Sequence, residues 1–497
     1  MEPLSLSLIA HDVIEDEAGR LKVIDTIGSA CTLAVTAKAD YEPRSARLHR
    51  FFELLEAHLP ALRQGRPIVW FDHGVPGRRF VLPASLAEFY RRLPPGVARL
   101  GWLEEARRQM AGRERKPAHE LLHVQEHREL ARAARQRGLK LTWASLLELL
   151  PEGALGCYGR AESQPRRLEP AEIGLLLYRW GFAHPYCPPW PLAAGVPVCN
   201  HPLVDFALER AKWTFRTLAT ARQPGLSALF PRETYVGLGG AGPQAVAEFA
   251  AGLRPAPGMP AAVLKPLATH AGLGISFLGL EEVEGLRREV EAAAEAGRSA
   301  REMLRAALRW PFPYTREDLL AEAFIWDASR GPTATQWRDL RWALLELEAG
   351  ERRRWLEQAF PGQPVLLSLH QPPLAEMATC ILQEFVPARP VVSRRTVRPQ
   401  RGYLRALFLG VDLIAAVHRF ARQEEGASFT NLADPGRPTF FEAASRESEE
   451  RLQHELAPLN AAFLEALRPY ARLWEEGHEG AERLCRDMLA ANWGAES

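Results

Sequence analysis

The sequence predicts an α/β protein divided into about two or three domains, on three observations. Segments of helical and strand periodicity alternate between residues 117 and 205. Strand character returns after Gly362 in four runs, 365–369, 379–386, 403–409 and 413–420. The length of 497 residues exceeds what one core usually organises. A hydrophobic share of 47% with 25% charged residues suits a folded chain with little room for long disordered tails. Lys and Arg total 62 against 61 Asp and Glu, so no net field exists to hold nucleic acid or an anionic membrane, and charge-based recognition has to be local.

From the start, residues 8–14 and 21–27 read as two strands joined by a turn over 15–20 that contains Gly19, with Asp12 and Asp25 on the strands. A helix is expected over 46–58 and a strand over 67–72. A further helix should end near Gly138, followed by short strands at 139–142, 173–178 and 196–199. After Asn200-His201-Pro202 come a helix over 204–221, a helix over 243–253, and a strand over 262–265 that runs into a glycine-containing loop. Residues 281–358 are patterned as helices with Arg and Glu on their solvated faces. A long helix is expected over 446–466. The opening seventeen residues lack a basic leader and a long apolar run, and no later stretch reaches about 18 apolar residues, so the expected location is cytoplasmic. The six cysteines are scattered without a CxxC pair, which points to reduced thiols.

Three segments carry chemistry. Residues 262–266 form a strand ending in Lys265-Pro266, followed by Gly272 and Gly274. A fixed cation thus lies beside a loop whose backbone N–H groups can approach a phosphate. Residues 381–387 form a strand running into an irregular segment, where Gln383, Glu384 and Val386 could line an adenine and its ribose. Residues 403–410 and 413–419 are neighbouring strands with one arginine each, Arg405 and Arg419. Together they can direct two permanent cations at a phosphoryl group.

In order and spacing these motifs resemble the ATP-grasp superfamily. The resemblance covers residues 196–277 and 379–466 and includes Asn200 and Pro202, Lys212, Pro231 with Thr234, Lys265-Pro266, Gly272 with Gly274, Gln383 to Val386, Arg405, Ala415 to Arg419, and Asn431-Leu432. The metal-binding hairpin that ends most members is not evident after residue 467. Residues 11–30 look like that hairpin moved to the front, as in the circularly permuted glutathione synthetases of eukaryotic type. Residues 177–182, with Arg179, are similar to an aromatic-Arg-x-Gly-aromatic run of that family. Departures are visible: Asp25 stands where the family has Glu, Ile27 is near the place of its partner Asn, and the glycine loop carries Thr269 and His270 in place of an acidic residue.

The resemblance implies an ATP-grasp fold with a small α/β pre-grasp domain and a helical insertion. Residues 1–110 would be an N-terminal region whose hairpin completes the grasp lobe, 111–205 the pre-grasp domain, and 206–497 the grasp domain with its insertion at 281–375. It implies an ATP-dependent ligase that joins a small-molecule carboxylate to an amine through an acyl phosphate, with ATP and magnesium. Lys212, Lys265, Gly272, Gly274, Gln383, Glu384 and Val386 would bind the nucleotide. Asp12, Asp25 and Asn431 would bind the metal, Arg405 and Arg419 would be catalytic, and Arg179 would hold a substrate carboxylate.

Other readings stay open. His119-Glu120-Leu121-Leu122-His123 is a literal HExxH, overlapped by His123 to His127 as HxxEH, and on a helix its histidines would share a face as in zinc hydrolases. The same fold could serve as a degenerate scaffold or phosphorylate a small molecule. The arginines at 394, 395, 398 and 401 mark either a solvated loop or a lid over an anion.

Overall fold

The computed structural model describes residues 3–28, 44–71, 129–144, 146–149, 155–158, 166–178, 195–205, 207–208, 212–237, 243–266, 275–297, 379–421, 439–477, 483 and 487. It is an α/β protein. Along the chain the hairpin β1 (Leu8–Glu15) and β2 (Leu21–Ile27) is followed by α1 (Arg44–His58) and β3 (Ile68–Phe71). Then come the short strands β4 (Leu141–Ala144), β5 (Leu146–Leu149), β6 (Leu155–Tyr158), β7 (Arg166–Leu168), β8 (Leu175–Tyr178) and β9 (Val198–Cys199). Next are α2 (Lys212–Arg222), β10 (Glu233–Gly237), α3 (Pro243–Ala251), β11 (Ala262–Pro266), β12 (Ser276–Leu278) and α4 (Leu280–Glu295). The last part holds β13 (Thr379–Glu384), β14 (Val391–Val392), β15 (Pro399–Gln400), β16 (Gly402–Leu409), β17 (Asp412–Ala421), β18 (Thr439–Ala443) and α5 (Arg446–Gly477).

The N-terminal hairpin closes where the sequence requires it. Gly19 takes a φ of 76°, and Asp16 accepts the Arg20 backbone N–H at 2.8 Å and its Nε–H at 2.9 Å. The hairpin then pairs with strands from the far end of the chain. In the five-stranded antiparallel sheet the order is β18-β17-β16-β1-β2, and Leu8 lies opposite Leu409 while Val13 lies opposite Leu404. Because directly opposed residues share a face, Asp25, Asp12, Arg405, Tyr403, Arg419 and Phe441 stand on one side of this sheet, and His11, Thr26, His418 and Glu442 on the other.

Helices α2 and α5 cover the His11 side. The His11 ring lies 5.2 Å from Phe215 and 5.8 Å from Phe408, and Phe215 meets Phe463 at 4.7 Å. A second sheet, β10-β13-β11-β12, buries Leu264, Leu382 and Cys380 against Phe249 of α3 and Leu286 of α4. A parallel sheet, β4-β3-β8-β9, is shielded by α1, and Phe51, Trp70 and Leu177 share one core with Ala10, Leu407 and Ala415 of the five-stranded sheet. Strands β5, β6 and β7 form a small antiparallel sheet.

Within the helix expected over 204–221, the described residues are helical at Pro202–Asp205, 207–208 and Lys212–Arg222. Two other elements end elsewhere than the sequence reading has them. The strand expected over 379–386 ends at Glu384 and is central, flanked by β10 and β11. Helix α5 continues to Gly477 although Pro458 and Pro469 lie inside it. Proline normally discourages such continuation because it removes an N–H and crowds the preceding turn, but Leu456, Leu459, Phe463 and Leu467 bury a continuous apolar stripe.

Candidate active site

The side of the five-stranded sheet facing away from His11 carries, beyond the core that Ala10, Leu407 and Ala415 share with α1 and the parallel sheet, a row of charged groups fixed by strand register. Asp12 on β1 lies between Asp25 on β2 and Arg405 on β16. Its carboxylate accepts two parallel hydrogen bonds, from Arg405 Nε–H at 2.6 Å and from Nη2–H at 2.7 Å, a bidentate pair with little solvent access. Two residues before Arg405, Tyr403 lies opposite Arg419. The Tyr403 hydroxyl accepts from Arg419 Nη1–H at 2.5 Å and from Arg405 Nη2–H at 3.3 Å. Both guanidiniums lie over the Tyr403 ring, at 5.8 Å for Arg405 and 5.6 Å for Arg419, and Arg419 also sits 5.9 Å from the Phe441 ring. Burial, with Asp12 nearby, pushes the Tyr403 hydroxyl above its ordinary pKa despite the two cations, so it stays protonated at neutral pH. Arg419 Nε is buried and has no partner among the described residues.

A second polar chain runs from this sheet into the four-stranded one. Lys265, on β11, donates to the Ile24 carbonyl of β2 at 2.9 Å and to Gln383 Oε1 on β13 at 2.8 Å. Gln383 in turn donates to Glu233 Oε2 at 3.1 Å, and Glu233 forms an ion pair with Arg216 at 2.9 Å. Tyr235 donates to the same carboxylate at 3.1 Å, and burial beside Glu233 pushes its hydroxyl well up. Lys22 donates to the Ala228 carbonyl at 2.5 Å, and burial and Arg20 hold its ammonium below the usual range while Asp16 and Glu384 oppose that. Asn200 works structurally: its side chain donates to the Leu8 carbonyl at 3.1 Å and accepts the Leu8 N–H at 2.5 Å, which locks β1 in place.

Of the residues singled out in the sequence, Asp12, Asp25, Arg405 and Arg419 share one face, and Lys265 and Gln383 share one hydrogen-bond chain. Lys212 opens α2. Gln383 takes part through its side chain, because the backbone of β13 is paired on both sides. The Glu384 and Phe385 N–H groups are also taken, by Arg232 and Ala261 carbonyls at 2.8 and 3.1 Å, and Val386 follows in irregular chain. Arg179, Gly272, Gly274, Asn431, the helical insertion beyond 297 and the HExxH at His119 to His123 lie outside the described residues. Tyr403, Glu233 and Arg216 were not singled out, although Tyr403, two residues from Arg405 on a strand, was detectable by alternation.

The arginine hairpin of β14 and β15 is held on the opposite side of the sheet. Glu442 accepts from the Ser393 hydroxyl at 2.5 Å and from the Arg394 and Arg395 N–H groups at 3.0 and 3.1 Å. Divalent magnesium needs several oxygen donors around one point. Asp12 and Asp25 are neighbours, but Arg405 occupies both Asp12 oxygens, and among the described residues no group of three or more His, Cys, Asp or Glu gathers as a metal site. As arranged, these carboxylates do not fit a preformed magnesium site.

No protein-family model matches the sequence, and no curated protein matches it. Among solved structures, a crystal structure of a proposed gamma-glutamylcysteine synthetase from Methylobacillus flagellatus KT is similar in overall course. It has a TM-score of 0.40 and 9% sequence identity, over 93% of this chain and 89% of that one. That likeness is too loose to define a fold family.

Proposed function

We propose that this chain is an ATP-dependent ligase of ATP-grasp type that joins a small carboxylate to an amine through an acyl phosphate. The observation that supports it most is the link between Lys265 and β2: a lysine near the end of an interior strand of one sheet bonded to the strand beside the Asp12–Arg405–Tyr403–Arg419 row of another. In this reading Lys265 and Lys212 meet the phosphates, while Gly272 and Gly274 supply backbone N–H groups to them. Gln383, Glu384 and Val386 form the wall near the base. The carboxylate oxygen attacks the γ-phosphorus and ADP leaves; the amine then attacks the carbonyl carbon and phosphate leaves. Arg405 and Arg419 offset charge on the transferring group, and Arg179 holds a substrate carboxylate. Residues 1–110, 111–205 and 206–497 are the corresponding domains.

Magnesium at Asp12, Asp25 and Asn431 enters no step, because Arg405 holds Asp12. The same observation favours a second reading, a scaffold of this fold that binds nucleotide without turning it over.

Calorimetric titration of the purified chain with ATP, followed by an ADP-release assay with mixed amino acids, separates the two. Saturable ATP binding with amine-dependent ADP release, both lost in Lys265→Ala at an unchanged unfolding temperature, supports the ligase. Binding without release under any amine supports the scaffold. Turnover that survives Lys265→Ala removes that lysine from the mechanism.

A further inference from the structure

The Tyr403 hydroxyl sits between the two arginines of the charged row, and the ligase reading gave it no task. Its oxygen receives two guanidinium N–H groups, from Arg419 at 2.5 Å and Arg405 at 3.3 Å. A phenol oxygen offers two acceptor positions and one proton. With both acceptor positions used, the proton has to go outward, and among the described residues no acceptor lies within hydrogen-bond range of it. Asp12, the carboxylate nearest in the row, spends both oxygens on Arg405. The ring cannot swing away to find a partner: it is buried beneath two guanidiniums, on a strand paired along both edges.

Cations that converge on a hydroxyl oxygen polarise its O–H bond and make it a stronger donor. Arg419 Nε, buried without a partner among the described residues, is a second donor of the same cluster still lacking an acceptor. Unsatisfied buried donors that lie together call for an acceptor with several oxygens.

We propose that Tyr403 is the third donor of an oxyanion site whose other donors are the guanidiniums of Arg405 and Arg419, and that its ligand is a phosphoryl or carboxylate group. The identity of the ligand as a reacting group rests on the ligase reading; the site itself does not. The site needs no metal, since its charge comes from arginine. Phe441, on the neighbouring strand, stacks near Arg419 and limits the directions that guanidinium can take.

The test uses the full chain with metal chelated. Inorganic phosphate and, separately, acetate are titrated into wild type and Tyr403→Phe, which keeps the ring and removes the hydroxyl. Phosphate affinity should fall by about tenfold or more, the loss of one hydrogen bond to a charged group, with the unfolding temperature unchanged. Tyr403-dependent acetate binding in place of phosphate would support the site and assign it to carboxylate. A wild type that binds neither anion, or a Tyr403→Phe chain that binds as wild type does, overturns the proposal.

A wild-type measurement covers the case of a poorly folding variant. In chain labelled at tyrosine Cζ, phosphate or acetate should shift one of the nine tyrosine NMR signals, and no shift refutes the site. The two readings fail separately. Tyr403-dependent anion binding without ADP release sinks the ligase and keeps the site, while ADP release with unchanged kinetics in Tyr403→Phe does the reverse.

Discussion

At the scale of single residues, the molecule holds its charges by pairing them across strands. Asp12 and Arg405 are each largely shielded, so removing one partner leaves the other charge uncompensated. Asp12→Ala or Arg405→Leu alone should cost about 3 kcal/mol of stability, and the double substitution less than the sum, measured by urea denaturation. His11 makes a second residue-scale prediction. Its Nε2 lies 2.7 Å from Asn460 Oδ1 and its Nδ1 3.0 Å from Thr26 Oγ1, both satisfied by the neutral ring. Burial lowers its pKa from 6.5 to about 4, opposed by the Asn460 bond and by Asp12 and Asp25. Between those values the unfolded chain binds the proton and the folded one does not, so the stability present above pH 6.5 falls as pH drops toward 4. The loss should reach about 3 kcal/mol, and His11→Gln should flatten that slope in denaturant midpoints measured across the window. His418, lowered to about 4 chiefly by burial, steepens the same trend. The pairing of Asp12 could not be read from sequence, because its partner lies 393 residues away and only the folded register brings them together. Arg405 and Arg419 were legible as neighbours, since a turn of a few residues between two apolar runs forces antiparallel pairing.

At the scale of elements, the site depends on how closely β16 and β17 approach. Gly402 faces Phe420, and a Cβ there would come within 2.3 Å of the Arg419 carbonyl oxygen. Gly402→Ala therefore has to push the strands apart beside Arg419. The expected result is a loss of about 2 kcal/mol together with weaker phosphate binding, read by thermal unfolding and titration. The hairpin of β1 and β2 makes the other element-scale prediction. It covers the edge of β16, so a chain beginning at residue 29 would present an unpaired, apolar strand edge. That chain should aggregate on expression, and a peptide of residues 1–28 supplied with it should recover soluble material. The hairpin was legible because two largely apolar runs and the Gly19 turn between them are local signals. The end of α5 was not, because Pro469 argues locally for a stop that apolar burial overrides.

At the scale of the whole molecule, the two ends of the chain share one sheet, so stability there belongs to no contiguous segment. Leu8, Ile9 and Val13 are fully buried, and the strand that pairs with them, β16, comes about 400 residues later. During synthesis at ordinary elongation rates of about 5–20 residues per second, that delay is about 20 to 80 s, in which the first strand has emerged and its partner does not exist. Until residues 402–409 follow, a ribosome therefore carries an unpaired hairpin whose Leu8, Ile9 and Val13 lack the strand that buries them. The cell must either shelter that hairpin or tolerate its adhesion to other nascent chains, and yield should depend on chaperone supply and translation speed more steeply than the stability of the finished protein would suggest.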